Sequence, residues 1–469
     1  MATLWERIQA SARAAVAAWS GNHLQHNSVN SPFSVYFGLE EQDKQRVERY
    51  QLFRKYYAGE HTRFLRTKTA RDGTVTDDNV TINLSRRVVN KGASFLFGRP
   101  LQWELQEGGT TPEEILLDDI WRSDQWRQSF LQEAAINGGT CGMAYMQIVP
   151  NGDALPRLVN VDPAIIFPRS NPSDIDDIWA YELRWREGES VMRTVHSLQE
   201  SGQAWETWTE RLQRGRWTME QEPEVWPWEW PMFVHNKNLP NPNEFFGLSD
   251  LEDADLNDAI NATASNVNRI TRIFAHPVMW GYGFNLDEMD PSKMLIANNP
   301  QANLSALELG RDLQSSQDYL RFLRTMFAEI TQVPENDPDR LGLGAQSGFA
   351  LRILFSDLLD KTYTKRNLYG TTIVEANRRL LEMTGNGPDN VVTLHWEDPL
   401  PVDERSEAAA DKFDLEAGLS SVETMQRKRG YDPEIEMERI AAQATQTGNI
   451  GDALLAAFDR GNTGIGTAL

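Results

Sequence analysis

Phe246-Gly247-Leu248-Ser249-Asp250-Leu251-Glu252 opens the stretch around which the chain is organised, and that stretch runs to Gly385. Ser249 and Glu252 have the Ser-x-x-Glu spacing of a capping box, in which hydroxyl and carboxylate reciprocally satisfy N–H groups at a helix start. A helix is therefore predicted from Leu248 to about Ala275. An irregular segment, His276 to Gly310, comes next, then a second helix from Arg311 to about Gln332. A Pro/Asp/Gly-rich loop, Val333 to Gly348, leads into one long helix ending at Met383. Leu248, Leu251, Ile260, Val267, Ile270 and Phe274 in the first helix recur mostly at helical spacings, as do Leu313, Leu320, Leu323, Phe327 and Ile330 in the second. Each has one face to bury. About 28 residues rising ~1.5 Å each make the first helix roughly 40 Å long, the length of a strut.

A chain of 469 residues has room for two or three domains. Its formal charge is 46 − 68 = −22, which argues against tight nucleic-acid binding, because that needs clustered Lys and Arg to displace counterions. An acidic wall beside passing DNA is compatible with it. Cys141 is the single cysteine, so no intrachain disulfide forms, as suits synthesis in a reducing compartment. Arg13 interrupts any secretory apolar core in the first twenty residues, and no window reaches the ~20 apolar residues of a membrane span. A soluble protein is expected, with a flexible arm over 1–32.

The folded part is predicted to begin near Phe33. A charged helix, Glu40 to Tyr57, stops at Ala58-Gly59. Asn83 to Phe97 reads as a helix closed by Gly98 before Arg99-Pro100, with a strand from Leu101 to Leu105 after it. Thr111-Pro112-Glu113-Glu114 opens another helix, with Thr as cap, Pro in the first turn and Glu as box partner, predicted to stop at Gly138-Gly139. From Cys141 to Asn236 short alternating runs separated by turn residues read as a β meander. Its tryptophans Trp205, Trp208, Trp217, Trp226, Trp228 and Trp230 are read as core or subunit-contact residues rather than base-stacking platforms. A strand, Val391 to Trp396, precedes further helices from about Asp403 to Ala417, from a cap at Ser420 with Glu423 as partner, and from Asp432-Pro433. The tail 448–469 is expected to be mobile.

The search for chemistry is mostly negative. No G-x-x-x-x-G-K-[ST] loop and no G-x-S-x-G elbow is present, and the seven histidines and one cysteine show no zinc spacing. Asp250, Glu252, Asp253, Asp255 and Asp258 could hold a metal, but acids in the first turns of a helix more simply complement its dipole and solvate its outer face.

The order of these segments carries a resemblance. The chain resembles the tailed-bacteriophage portal proteins typified by siphophages of Gram-positive hosts. The residues that carry it are Asn83 to Pro100, Phe246 to Glu252, Ser347-Gly348-Phe349-Ala350-Leu351-Arg352, and the acidic helical segment after Asp398-Pro399. Together they span Gln51 to Ala442, departing at the Trp-rich meander, the arm and the tail.

The resemblance implies an α+β portal fold, assembled as a ring. A wing would occupy 33–245, completed by a strand and linker at 386–401. Stem helices would lie at 246–275 and 311–332, separated by a clip at 276–310. A tunnel loop at 333–348, a long helix at 349–385 and crown helices at 402–447 would complete the subunit. Ser249, Asp250 and Glu252 would belong to the stem. The DNA-facing tunnel-loop residues would be Arg340, Leu341, Gly342, Leu343, Gly344, Ala345, Gln346 and Ser347. With no Lys and permissive glycines, that tip is suited to sliding rather than gripping. Lys361, Lys365 and Arg366 either touch DNA or pair with acids of a neighbouring subunit, and the pairing is favoured. The implied partners are a homo-oligomeric ring, a dodecamer by analogy, with the terminase large subunit, a head-completion adaptor, major capsid and scaffold proteins, and double-stranded DNA. No cofactor, metal or membrane is implied. The implied location is the capsid vertex of the virion, after synthesis in the host cytoplasm. Two other readings stay open. One is a Mg-dependent DNA-processing enzyme using the acidic cluster; the other is a different ring-forming virion adaptor.

Overall fold

The computed structural model describes residues 35–69, 75–105, 111–122, 124–152, 154–202, 204–275, 279–282, 301, 303–306, 313–335, 348–386, 392–400, 411–428, 436–437 and 439. The chain divides into two compact units, Met1–Leu400 and Pro401–Leu469. It is a mixed α/β protein.

In the first unit, helix α1 (Glu41–Ala58) ends on Gly59, whose left-handed φ of 95° lets its N–H reach back to the carbonyls of Lys55 and Tyr56. A two-residue hairpin, β1 (Lys68–Thr69) and β2 (Val75–Thr76), precedes α2 (Leu84–Phe97). The Asn83 side chain caps α2 by accepting from the Arg86 N–H, and Gly98 closes it. Strand β3 (Leu101–Glu104) leads to α3 (Pro112–Ile120), which starts on the reciprocal Thr111/Glu114 capping box.

The single helix predicted from Thr111 is two, because Arg122 takes a positive φ of 66° and α4 (Asp124–Cys141) restarts after it. Nor do Gly138 and Gly139 stop α4. They lie within it, at positions where the packing leaves no room for a side chain.

The meander is antiparallel throughout. β4 (Met143–Asn151) pairs with β5 (Ala154–Val161) and with β11 (Phe233–Lys237). β6 (Ile166–Asn171), β7 (Asp174–Glu187), β8 (Ser190–Leu198), β9 (Trp205–Gln213) and β10 (Arg216–Val225) form a second sheet in sequential order. Trp205, Trp226 and Trp230 are buried, while Trp208, Trp217 and Trp228 are half-buried. Strand β14 (Thr393–Trp396) pairs with β3, closing a link of some 290 residues in sequence.

Helix α5 (Asp255–Ala275) is the first strut. It begins later than Leu248, because residues 251–254 are turns. Strands β12 (Met279–Tyr282) and β13 (Asn303–Ala306) form an antiparallel pair, and α6 (Leu313–Thr331) is the second strut, packed on α5. The long helix is broken at Phe355 into α7 (Gly348–Leu354) and α8 (Ser356–Met383). The main core gathers α2, α3, α4, α8 and the β4 sheet around Phe97, Trp121, Leu131, Tyr369 and Leu380. A smaller cluster of Val88, Phe95, Ile260, Leu323, Phe327 and Leu358 joins both struts to α2 and α8.

In the second unit, residues 411–416 are helical and α9 spans Val422–Lys428. Its cap is Ser421, whose Oγ accepts from the Thr424 N–H at 3.1 Å, one residue later than the expected Ser420/Glu423 box.

Candidate functional site

Beside the apolar cluster that joins both struts to α2 and α8, one carboxylate adds a polar fastening. The Asp250 side chain is 2% exposed and sits between two lysines of α8 one helical turn apart. Lys361 Nζ lies 3.0 Å from Oδ1 and Lys365 Nζ 2.6 Å from Oδ2. Lys361 also donates to the carbonyl of Thr331 at 3.3 Å, at the C-terminal end of α6, where unsatisfied carbonyls and the helix dipole favour a cation. The start of the first strut, the end of the second and the long helix therefore meet at one charge cluster. Burial alone would push the Asp250 carboxyl up, but Lys361 and Lys365 outweigh it and hold it at about 2. Burial lowers the Lys365 ammonium, an effect that Asp250 opposes.

The backbone around this cluster leaves no slack. The Asp250 N–H donates to Gly139 O at 2.8 Å, and Ser249 Oγ is 2.9 and 2.8 Å from the carbonyls of Gly139 and Thr140. The Ser249/Glu252 pair is only half a capping box. Glu252 accepts from the Ser249 N–H at 3.2 Å, but Ser249 Oγ accepts from Leu251 rather than from Glu252. Asn238 Nδ2 donates to Leu248 O at 3.1 Å. A Cβ on Gly139 would come within 2.9 Å of Asp250 Oδ2, and one on Gly138 within 1.9 Å of the Tyr369 hydroxyl. The two glycines are what let α4 approach the cluster.

These positions correct two expectations. Asp250 is not a solvated acid on the outer face of a helix. Lys365 is buried and Lys361 half-buried, and both ammonium groups turn onto a carboxylate of their own chain, where the sequence favoured acids of a neighbouring subunit. Arg366 is half-buried, donates to Glu397 O and lies over the Trp396 ring at 5.1 Å, so its partners too are within the chain. Of the other acids, Asp258 is buried, accepting from the Tyr56 hydroxyl at 2.8 Å with His61 Nδ1 at 3.4 Å. Arg340 to Ser347 lie outside the described residues, as does most of 276–310.

The second fastening was not anticipated. Asn257, Asn261, Ser265 and Asn268 line one face of α5 and grip the main chain of 78–85. Asn257 Oδ1 accepts from Leu84 and Ser85, and its Nδ2 donates to Ile82 O at 2.9 Å. Asn261 Oδ1 accepts from the Ile82 N–H at 2.9 Å, and Ser265 Oγ from that of Val80 at 2.9 Å. Asn268 Nδ2 donates to Asp78 O at 3.2 Å, and Arg269 Nε to Asp78 Oδ1 at 2.9 Å. The match is geometric: two residues of extended chain cover about 6.6 Å, and four residues of helix about 6 Å. The signal in the sequence was polar residues at i, i+4, i+8 and i+11, which a count of apolar positions passes over.

This arrangement positions helices rather than substrates. Its only carboxylate with two cations is neutralised by them, and among the described residues no group of three His, Cys, Asp or Glu side chains could hold a metal ion. No described helix is long and apolar enough to cross a membrane.

Against known proteins, residues 38–449 match the family described as "Phage portal protein, SPP1 Gp6-like". No curated protein matches the sequence. Among solved structures the chain is similar to one titled "Neck of empty GTA particle computed with C6 symmetry", at 13% identity and TM-score 0.41, covering 80% of this chain and 98% of that one. It is similar at the same identity and TM-score to one titled "Virion of native gene transfer agent (GTA) particle", covering 90% and 99%. The sequence match covers far more than half of the chain, and with it the struts, the long helix and the charge cluster: the chain belongs to the phage portal protein family of SPP1 Gp6-like members.

Proposed function

We propose that this portal protein is the subunit of a ring, a dodecamer by analogy, that forms a DNA channel at one capsid vertex. A separate terminase drives DNA through it during packaging, DNA leaves by the same route, and a head-completion adaptor docks on it afterwards. The family match over 38–449 is the observation that carries this reading. In it, 33–245 is the wing, α5 and α6 are the stem, 276–310 is the clip that meets terminase and adaptor, 333–348 is the tunnel loop and 402–447 the crown.

One feature of the stem supports assembly. α6 buries Leu323 and Phe327 within the chain, yet it also carries a second apolar stripe at helical spacing, Tyr319, Phe322, Met326 and Ile330. Tyr319, Phe322 and Ile330 are each more than half exposed. Large exposed apolar side chains grouped on one face mark an association surface, and a neighbouring copy in a ring supplies one. The role is structural. Asp250, the acid a divalent-dependent nuclease would have recruited, is held by two lysines instead.

Electron microscopy of the purified protein, averaged by rotational symmetry, tests the proposal. A closed ring with an axial hole is expected. A chain that remains monomeric at micromolar concentration, together with Mg-dependent cleavage of plasmid, would overturn it in favour of a DNA-processing enzyme.

A further inference from the structure

Residues 59–85 make an excursion that no hydrophobic core explains. Among the described residues, none from Gly59 to Asn83 belongs to any of the apolar clusters. The excursion is instead clamped along α5 by the Asn257/Asn261/Ser265/Asn268 ladder at its end, while at its beginning buried His61 lies 3.4 Å from Asp258. These polar contacts hold an element in which Thr62, Arg63, Phe64, Arg66 and Thr67 are exposed.

The first half of the excursion has an unusual sequence for this chain. Between Gly59 and Thr69 stand Arg63, Arg66 and Lys68 against one acid, Glu60, a local balance of 3 − 1 = +2 on a chain of −22, and the acids Asp72, Asp77 and Asp78 fall in the second half. Arg63 and Arg66 are exposed, and among the described residues neither faces a carboxylate. Phe64 is 50% exposed, with the Arg63 guanidinium 5.2 Å over its ring.

We infer that residues 59–69 are a basic docking element, clamped to the first strut and presented to the acidic surface of a second copy of this chain. The inference rests on the ring proposed above and names how adjacent copies meet. Subunits that are each strongly acidic repel one another when brought together, and an element of opposite sign is what offsets that repulsion locally. Arginine beside an exposed aromatic is the composition that protein interfaces enrich. The contact is head-to-tail, basic strap to acidic neighbour, the kind that closes a ring when the rotation permits.

The test uses the full chain, with assembly followed by mass photometry across concentration and salt. Arg63→Glu with Arg66→Glu should raise the concentration for half-assembly about tenfold at low salt, and the gap should narrow as salt screens the contact. The milder Arg63→Gln with Arg66→Gln should fall between that variant and wild type, and Phe64→Ser should weaken assembly with little salt dependence. Among the described residues neither arginine pairs with a carboxylate, so thermal melts of the variants should stay close to wild type. A wild-type ring whose assembly ignores these substitutions overturns this inference alone. Unchanged assembly with reduced retention of duplex DNA also overturns it and assigns the strap to phosphate. A wild-type chain that never assembles overturns both this inference and the proposed function.

Discussion

The sheet-bearing core and the strut junction differ in what holds them, because the junction adds polar joints to its small apolar cluster. In the core, Phe97, Trp121, Leu131, Tyr145, Phe233 and Leu380 pack into one broad cluster, and removing any one leaves its neighbours in contact with one another. At the junction, one carboxylate joins two struts to the long helix, and a ladder of short polar side chains holds a strap against the first strut. A packed core degrades gradually, because cavities relax in part. A buried charge cluster fails abruptly, because deleting one member strands the others.

The largest effect should come from Asp250→Ala, which leaves two buried lysines facing each other. A loss of about 3–5 kcal/mol in chemical denaturation is expected. Replacing the whole cluster, Asp250→Leu with Lys361→Met and Lys365→Met, should recover most of that, since an apolar cluster of similar volume avoids the desolvation cost. If the triple variant is as unstable as the single one, the cluster does more than join elements. In wild type the Asp250 contribution is complete above the ordinary carboxyl value of 3.8 and is lost as pH falls through about 2.

Acid should strike the β6–β10 sheet in a different window. His196 is fully buried, stacks on Trp205 at 4.8 Å, accepts from the Met232 N–H at 3.2 Å through Nε2 and meets Thr207 Oγ1 at 2.7 Å through Nδ1. Burial, with a smaller push from Arg379, lowers its value from 6.5 to about 3, so the neutral ring is the folded form. Between those values the unfolded chain binds the proton and the folded chain does not, so stability falls as pH drops below 6.5. By pH 4 the loss should reach roughly 3 kcal/mol, read as a drop in denaturation midpoint that His196→Asn flattens.

Gly138→Ala should cost about 1–3 kcal/mol by overpacking against Tyr369, and Tyr369→Phe should relieve part of it because the clash is with the hydroxyl. The smallest effect sharpens the comparison most. Asn261→Ala leaves the part-buried Ile82 N–H without its side-chain acceptor and should cost about 1 kcal/mol. Hydrogen exchange should show the loosening confined to 78–83 and α5, with the sheets of β4 to β11 unchanged.

What could be read in advance follows the same division. Local backbone chemistry was legible: Gly59 closes α1, Asn83 and Thr111 open α2 and α3, and the meander alternates as its turns require. The struts were legible as apolar periodicity, although the first begins at Asp255 because 249–254 is spent binding α4 rather than starting a helix. Gly138-Gly139 misled because a glycine pair reads as a helix stop, whereas here the missing side chains admit Asp250 and Tyr369. Asp250 misled because an acid beside a capping serine normally faces water, and its lysines lie more than a hundred residues away in sequence. The ladder was invisible for a related reason. Asn and Ser on a helix face normally read as solvated, and only the path of 78–85 makes them interior.

Hydrogen exchange on Asp250→Asn against wild type tests the junction most directly. The account predicts that protection falls together in α5, α6 and the first half of α8, while the sheets of β4 to β11 keep theirs. A loss spread evenly over sheets and struts, or none in the struts, would contradict the claim that this carboxylate holds the strut junction together.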